Sequence, residues 1–369
     1  MNQNYNRLYM PQFITGCGSI EFFATLGKKR IGIVRGGRSF NDELKAKIEK
    51  LAEESGAEIC YLAQIRNEPF IEDIFRYMDK VRLFYENPEM TFEEATIPYA
   101  LPALGKKAVH VSVPTTSGTG SETTSCAVFI DPETKTKKLL LDNTIIPHYA
   151  ILDGDMTDSL PRSVTIASGL DALTHSIEAS TAVNGSAMTR AIAMEAAVQI
   201  LENLEEAAAD GEMTPAKKEA REKMHIASGL AGVAITNACA GLAHSYDHPG
   251  PAFGFAHGNI CGLMLPYTMK YVGVHPSYAT IAKRLGYKGT DRELTQALID
   301  HLFGLMKKLG LKTSFKEFDI DRDAYMEAAK TWAEISLSAF ATVVSPAEMT
   351  AEKGVEMYTD CFDGNYPEV

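Results

Sequence analysis

The chain has 369 residues, 45% of them hydrophobic, which is enough for two domains with full cores. Its 36 Lys and Arg stand against 48 Asp and Glu, and the net charge of −12 argues against nucleic acid or an anionic membrane as a partner. No apolar run is long enough to span a bilayer and no signal-peptide core follows Met1. The six cysteines (Cys17, Cys60, Cys126, Cys239, Cys261, Cys361) form no CxxC pattern, which reads as reduced thiols in a cytoplasmic protein.

In chain order, residues 9–25 read as a short strand and turn punctuated by Gly16 and Gly18. Arg30–Arg35 is a buried strand that ends in Gly36-Gly37-Arg38-Ser39. Ser39 is placed to cap a helix over Asn41–Glu54, which carries Leu44, Ile48 and Leu51 at helical spacing. Glu58–Leu62 is the next strand. It leads through a turn at Asn67-Glu68-Pro69 to a helix over Ile71–Val81. Strand, helix, strand opens a doubly wound parallel sheet, whose ligands bind at the carboxyl ends of the strands. Val109–Pro114 resumes as a buried strand. Thr115–Glu122 follows as a Gly- and hydroxyl-rich turn opening a helix, suited to an anionic or amide group. Cys126–Leu141 reads as a hairpin turning at Asp131, and Tyr149–Asp153 as the last strand of the domain.

From Pro161 onward the pattern is helical. Helices are expected over Ala187–Glu206, Pro215–Cys239, Cys261–Tyr271, Ser277–Leu285, Arg292–Leu309, Arg322–Ser336 and Ala347–Asp360. Ile226–Ala240 is apolar throughout, which means burial among other helices. The expected architecture is an N-terminal α/β domain over residues 1–157, built on a doubly wound parallel sheet. An all-α domain over residues 158–369 follows, with the site in the cleft between the two.

Two stretches carry the chemistry. Asp171 and His175 are four apart, so on a helix a carboxylate and an imidazole share one face. His244, His248 and His257 add three imidazoles further on. Each stretch alone is ordinary, since Asp-x-x-x-His describes many solvated helix faces. Together they hold four of the nine histidines, in surroundings of Ala, Gly and Leu that imply burial. A buried polar cluster must be compensated, and one carboxylate with two or three imidazoles suits Fe²⁺ or Zn²⁺ better than Mg²⁺ or Ca²⁺. Pro249 disfavours helical geometry at His248, so His248 is expected beside the site and free to turn. Phe253 and Phe255 either line a small apolar pocket or pack in the core. Asp247 either orients His248 or is an exposed carboxylate.

Asp171-Ala-Leu-Thr-His175-x-Ile-Glu-Ala, His244-x-x-x-His248-Pro, His257-Gly and Thr115-Thr-Ser-Gly-Thr-Gly-Ser-Glu122 resemble the iron-containing (group III) alcohol dehydrogenases over nearly the whole chain. The resemblance implies the dehydroquinate synthase-like architecture of those enzymes and a homodimer. It implies metal ligands Asp171, His175, His244 and His257, with His248 as a proton-relay residue. The implied cofactor contacts are Gly36, Gly37, Asn67, Thr115, Thr116, Ser117, Gly118, Thr119 and Lys138. The implied reaction is metal-dependent, NAD(P)-linked interconversion of small primary alcohols and aldehydes. The neighbourhood of Arg35-Gly36-Gly37-Arg38 lacks the carboxylate that binds ribose hydroxyls, which leans toward NADP over NAD.

The chain departs from the family pattern after Val81. A strand, a Gly-rich pyrophosphate turn and most of a helix are expected there, and Val81 instead runs straight into Arg82-Leu-Phe-Tyr-Glu. About twenty residues are absent by the lengths of those elements. Either the protein lacks its main phosphate-binding turn or a segment is missing from the sequence, and the abrupt join favours the second. Two rivals follow: a metal-dependent hydrolase or lyase without nicotinamide, and a non-catalytic descendant that keeps the metal as a staple.

Overall fold

The computed structural model describes residues 7–36, 40–64, 78–130 and 137–369. The turn at Asn67, the first part of the helix expected over Ile71–Val81, the tip of the hairpin, and Gly37, Arg38 and Ser39 lie outside these residues. Chain contacts divide the structure into two compact units. One comprises Tyr9–Thr115 and Ser121–Leu160, and the other is built from Pro161–Val369 with Thr116–Gly120.

The first unit holds β1 (Gln12–Thr15), β2 (Arg30–Arg35), α1 (Asp42–Glu54), β3 (Glu58–Gln64), α2 (Met78–Glu86), α3 (Phe92–Ala95), β4 (Val111–Ser112), β5 (Cys126–Ile130), β6 (Lys137–Leu141) and β7 (Tyr149–Leu152). Parallel strands form a sheet in the order β1-β7-β4, and β2 pairs with β3 in parallel. β5 and β6 form the expected antiparallel hairpin. Asn41 caps α1: its Oδ1 accepts from the Leu44 amide at 2.8 Å. Beyond β7, the buried carboxylate of Asp153 accepts from the Gly18 and Ile20 amides at 3.0 Å each, tying the exit of β1 to the exit of β7. The abrupt join at Val81-Arg82 falls inside α2, which continues through it and buries Leu83 with Ala95, Leu140 and Ile145.

The second unit is helical: α4 (Arg162–Thr181), α5 (Ala187–Ala207), α6 (Pro215–Asn237), α7 (Leu242–Ser245), α8 (Pro249–Phe253), α9 (His257–Val272), α10 (Pro276–Arg284), α11 (Asp291–Lys308), α12 (Arg322–Leu337), α13 (Phe340–Val343) and α14 (Ala351–Asp363). None of the described helices is long and apolar enough to cross a membrane. α4 is buried at almost every position from Thr165 on. It tolerates hydroxyls there because Thr174 and Ser176 donate to the carbonyls of Leu170 and Ala172, each at 2.8 Å. α9 lies close against α4 because Gly258 and Gly262 face it. A Cβ on Gly258 would collide with the Ala167 carbonyl oxygen, and one on Gly262 would come 2.9 Å from Leu170 Cβ.

Three expectations are corrected. No helix follows Thr115–Glu122: the segment is bends and turns that run into β5. Its glycines serve close approach, since a Cβ on Gly118 would stand 2.6 Å from Ser168 Cβ and one on Gly120 (φ +63°) 2.6 Å from Gly232 Cα. α9 begins at His257, four residues before the expected start at Cys261, so His257 opens the helix. His248 has helical backbone angles (φ −51°, ψ −34°) despite the following proline, because it leads into α8 with Pro249 at the first helical position.

Candidate active site

Asp171 and His175 sit one turn apart on α4, His244 on α7, and His257 at the start of α9. All three imidazoles present Nε2 to one atom, Asp171 Oδ1: His244 at 3.4 Å, His257 at 3.5 Å and His175 at 3.7 Å. Donors bound at about 2.0–2.2 Å around a tetrahedral ion stand about 3.4 Å from one another. The three imidazole nitrogens therefore stand from Asp171 Oδ1 at about that spacing, and a carboxylate with three imidazoles has the donor chemistry that fits Fe²⁺ or Zn²⁺.

The groups behind the imidazoles differ. His244 Nδ1 lies 2.6 Å from Glu178 Oε2, whose other oxygen accepts from the Ala243 amide at 2.6 Å. His257 Nδ1 lies 2.8 Å from Asp247 Oδ2. His175 Nδ1 is buried with no hydrogen-bond partner among the described residues, and its ring stacks on His244 at 4.4 Å and 13°. Asp247 is thus not an exposed carboxylate: it is buried and faces His257.

The metal-free electrostatics follow from this packing. Burial raises the Asp171 pKa, but the facing imidazoles of His175 and His244 outweigh it and hold the carboxyl well below its usual range. Burial pushes His175 down to about 4 against the pull of Asp171. Burial also works against the charged form of His257, yet Cys261 and the Asp247 hydrogen bond carry it up to about 10.

Cys261 lies beside the cluster; one donor atom each from Asp171, His244, His257 and Cys261 lies within 4.8 Å of the others. Its Sγ is equidistant, at 3.7 Å, from both ring nitrogens of His257. That places the sulfur against the ring, off the line of the Nε2 lone pair and roughly 4 Å or more from an ion bound there, too far for a metal–sulfur bond of about 2.3 Å.

His248 is half-buried, stacks on Trp332 at 6.3 Å, and sets Nε2 3.2 Å from Ser336 Oγ, so it is held rather than free to turn. Phe253 and Phe255 pack against the main core, Phe253 on Tyr325 and Trp332 and Phe255 on Phe318. Of the expected cofactor residues, Gly36 and Thr119 are exposed and Thr115 and Thr116 half-buried. Ser117 is buried with its hydroxyl 3.0 Å from His225 Nδ1, and Gly118 packs on Ser168. Lys138 lies in β6 opposite Phe129. Gly37 and Asn67 fall outside the described residues. Arg35 lays its guanidinium over Phe40 at 5.3 Å. Glu178 and Ser336 were not singled out from sequence. Glu178 was legible, for it follows Asp171 by seven residues on the same helix face. Ser336, on a distant helix, carried no signal.

Known proteins resemble this chain in sequence and in fold. Residues 165–362 match the family described as "Fe-containing alcohol dehydrogenase family, C-terminal", and residues 81–154 match "Iron-containing alcohol dehydrogenase". An NADPH-dependent butanol dehydrogenase from Clostridium saccharobutylicum is 31% identical, with 97% of this chain and 98% of that one covered. Its alignment runs over 387 positions against 369 residues here, so at least 18 positions (387 − 369) have no counterpart in this chain. A probable alcohol dehydrogenase EutG from Salmonella typhimurium is 32% identical over 75% of this chain and 68% of its own length. The structure of an iron-containing alcohol dehydrogenase from Thermococcus thioreducens superimposes with a TM-score of 0.86 at 26% identity, covering 98% of this chain and 100% of that one. The chain belongs to the iron-containing alcohol dehydrogenase family and is an NAD(P)-linked, metal-dependent enzyme that interconverts alcohols and aldehydes.

Proposed function

We propose that Asp171, His175, His244 and His257 hold the metal, that His248 moves the proton, and that NADPH is preferred over NADH. The observation that carries this reading is the convergence of three Nε2 atoms on Asp171 Oδ1 within 3.4–3.7 Å. When bound, the metal supplies Lewis acidity at the substrate oxygen, and the nicotinamide supplies or accepts the hydride. The chain's own part is to orient these groups and to handle the proton. Ser336 Oγ lies 2.7 Å from the Ser245 carbonyl and 2.8 Å from the Trp332 carbonyl, both of which only accept. Its single proton goes to one of them, so it accepts from His248 Nε2–H. The basic lone pair of His248 is then on Nδ1, where the proton of an alcohol is taken up or returned.

The NADPH preference is supported by the absence of a carboxylate beside Gly36 at the end of β2, by Arg35, and by the name of the butanol dehydrogenase relative. Residues 1–157 are the dinucleotide-binding domain in this reading and residues 158–369 the metal- and substrate-binding domain. Substrates are small primary alcohols and aldehydes. All six cysteines are free, in keeping with a cytoplasmic enzyme. A homodimer is the expected assembly, checked by sedimentation.

The deciding experiment is a fluorescence titration of NADPH and NADH into iron-loaded protein, followed by turnover of short aldehydes. Tighter binding of NADPH with oxidation of the nucleotide is expected. Tighter NADH binding would overturn the preference, and no nucleotide oxidation with any short aldehyde would overturn the substrate class.

A further inference from the structure

We infer that two carboxylates outside the ligand set, Glu178 and Asp247, are positioning residues that determine how strongly His244 and His257 hold the metal, while His175 lacks such support. The inference rests on the metal reading above. It concerns the three imidazoles, which look equivalent in sequence and are not equivalent in the fold.

An imidazole binds a metal through one nitrogen only when that nitrogen carries the lone pair. The tautomer is set by what the other nitrogen donates to. His244 Nδ1 faces Glu178 Oε2 at 2.6 Å, and His257 Nδ1 faces Asp247 Oδ2 at 2.8 Å. A carboxylate accepts and does not donate, so Nδ1 carries the hydrogen in both rings and Nε2 carries the lone pair. In both rings that Nε2 is the atom turned to Asp171.

Each carboxylate is itself built in. Glu178 lies on α4, seven residues after Asp171, and is 6% exposed. Its Oε1 takes the Ala243 amide, so one side chain fixes both the backbone beside His244 and the ring of His244. Gly241 makes room for it: a Cβ there would come within 3.1 Å of Glu178 Cβ, Cγ and Cδ. Asp247 is also 6% exposed and reaches His257, which is itself half open to solvent. A negative partner raises the donor strength of the ring it holds. His175 has no such partner behind it, since its Nδ1 is buried and unpaired among the described residues. It is therefore the weakest donor of the three.

The test uses Co²⁺ as the probe metal, in the full-length enzyme and in Glu178→Gln and Asp247→Asn. Visible d–d bands report the ligand field directly, apart from any turnover. Each substitution removes a charge and keeps the shape. Each is expected to lower Co²⁺ affinity about 10- to 100-fold, with shifted bands at saturation and one ion still bound per chain. A purely structural role would change the unfolding midpoint of the metal-free protein and leave the bands of the loaded protein in place. Wild-type affinity and band positions in both variants would overturn the inference and leave the metal reading standing. Failure of the wild-type enzyme to bind Co²⁺ would overturn both. Should Glu178→Gln not fold, Asp247→Asn decides by the same readout, because Asp247 lies on a different segment.

Discussion

Ser336 Oγ and His248 Nε2 lie 3.2 Å apart, joining His248 to a helix nearly ninety positions further along the chain. In the proposed reading the serine hydroxyl, 2.7 and 2.8 Å from two carbonyl oxygens, donates to one of them and orients the ring. His248→Ala is expected to keep stoichiometric iron while kcat falls about 10²- to 10⁴-fold, the usual range for a lost acid–base group. Ser336→Ala is expected to lower kcat less and to shift the pH profile of kcat, since Nε2–H loses its acceptor. Iron analysis and pH–rate profiles of both variants check this, and normal turnover of His248→Ala would remove it from the relay.

His244→Ala removes the ring that faces Glu178 at 2.6 Å and stacks on His175. Metal and activity are expected to disappear together. Stoichiometric iron in that variant, measured after dialysis against a trace of chelator, would sink the ligand assignment.

Gly258→Ala tests the packing beneath the site. Position 258 follows His257 directly, and a methyl group there collides with the Ala167 carbonyl on α4. Forcing α9 from α4 moves His257 off Asp171, although residue 258 touches no metal. A stability loss of about 1–3 kcal/mol is expected for such overpacking, together with weaker iron binding. A variant with lowered thermal midpoint and unchanged iron affinity would contradict the coupling of helix spacing to the site.

Glu122 makes a prediction about pH. It is 2% exposed, and its Oε1 has no hydrogen-bond partner among the described residues. Burial pushes its pKa up to about 7 from 4.5. A carboxyl raised on folding stabilises the native state below its unfolded pKa, and that stabilisation is lost as pH rises through the folded value. Stability should therefore fall between about pH 4.5 and pH 7, by on the order of 3 kcal/mol. Glu122→Gln should flatten this slope. Denaturant midpoints of metal-free wild type and variant at pH 5 and pH 8 measure it, and equal slopes in the two proteins would refute it.

Much of the site was legible because its pieces are local. Asp171 and His175 share a helix face by spacing alone, and Glu178 continues that face. The dense Ala, Gly and Leu around them announced burial, which the structure bears out. The long helices of the second unit matched their expected limits within three residues, apart from the starts of α9 and α14, each four residues from the expected position. The start of α9 was misplaced because His257-Gly258-Asn259 has weak helix propensity, and tertiary packing of the two glycines on α4 overrides it. The helix expected after Thr115 failed for the same kind of reason: Gly118 and Gly120 serve contact with α4 and α6, and not a helix start.

The sequence by itself determined the reaction class and the residue types of the centre, because metal ligands are fixed by chemistry and spacing. Only the tertiary structure decided which carboxylate stands behind which imidazole. Asp247 is adjacent to His248 in the chain yet bonds His257, and Ser336 meets His248 from a distant helix. Those pairings depend on how α4, α7, α9 and α12 cross one another. A side chain's partner is set by that crossing, over separations at which a linear pattern carries no information.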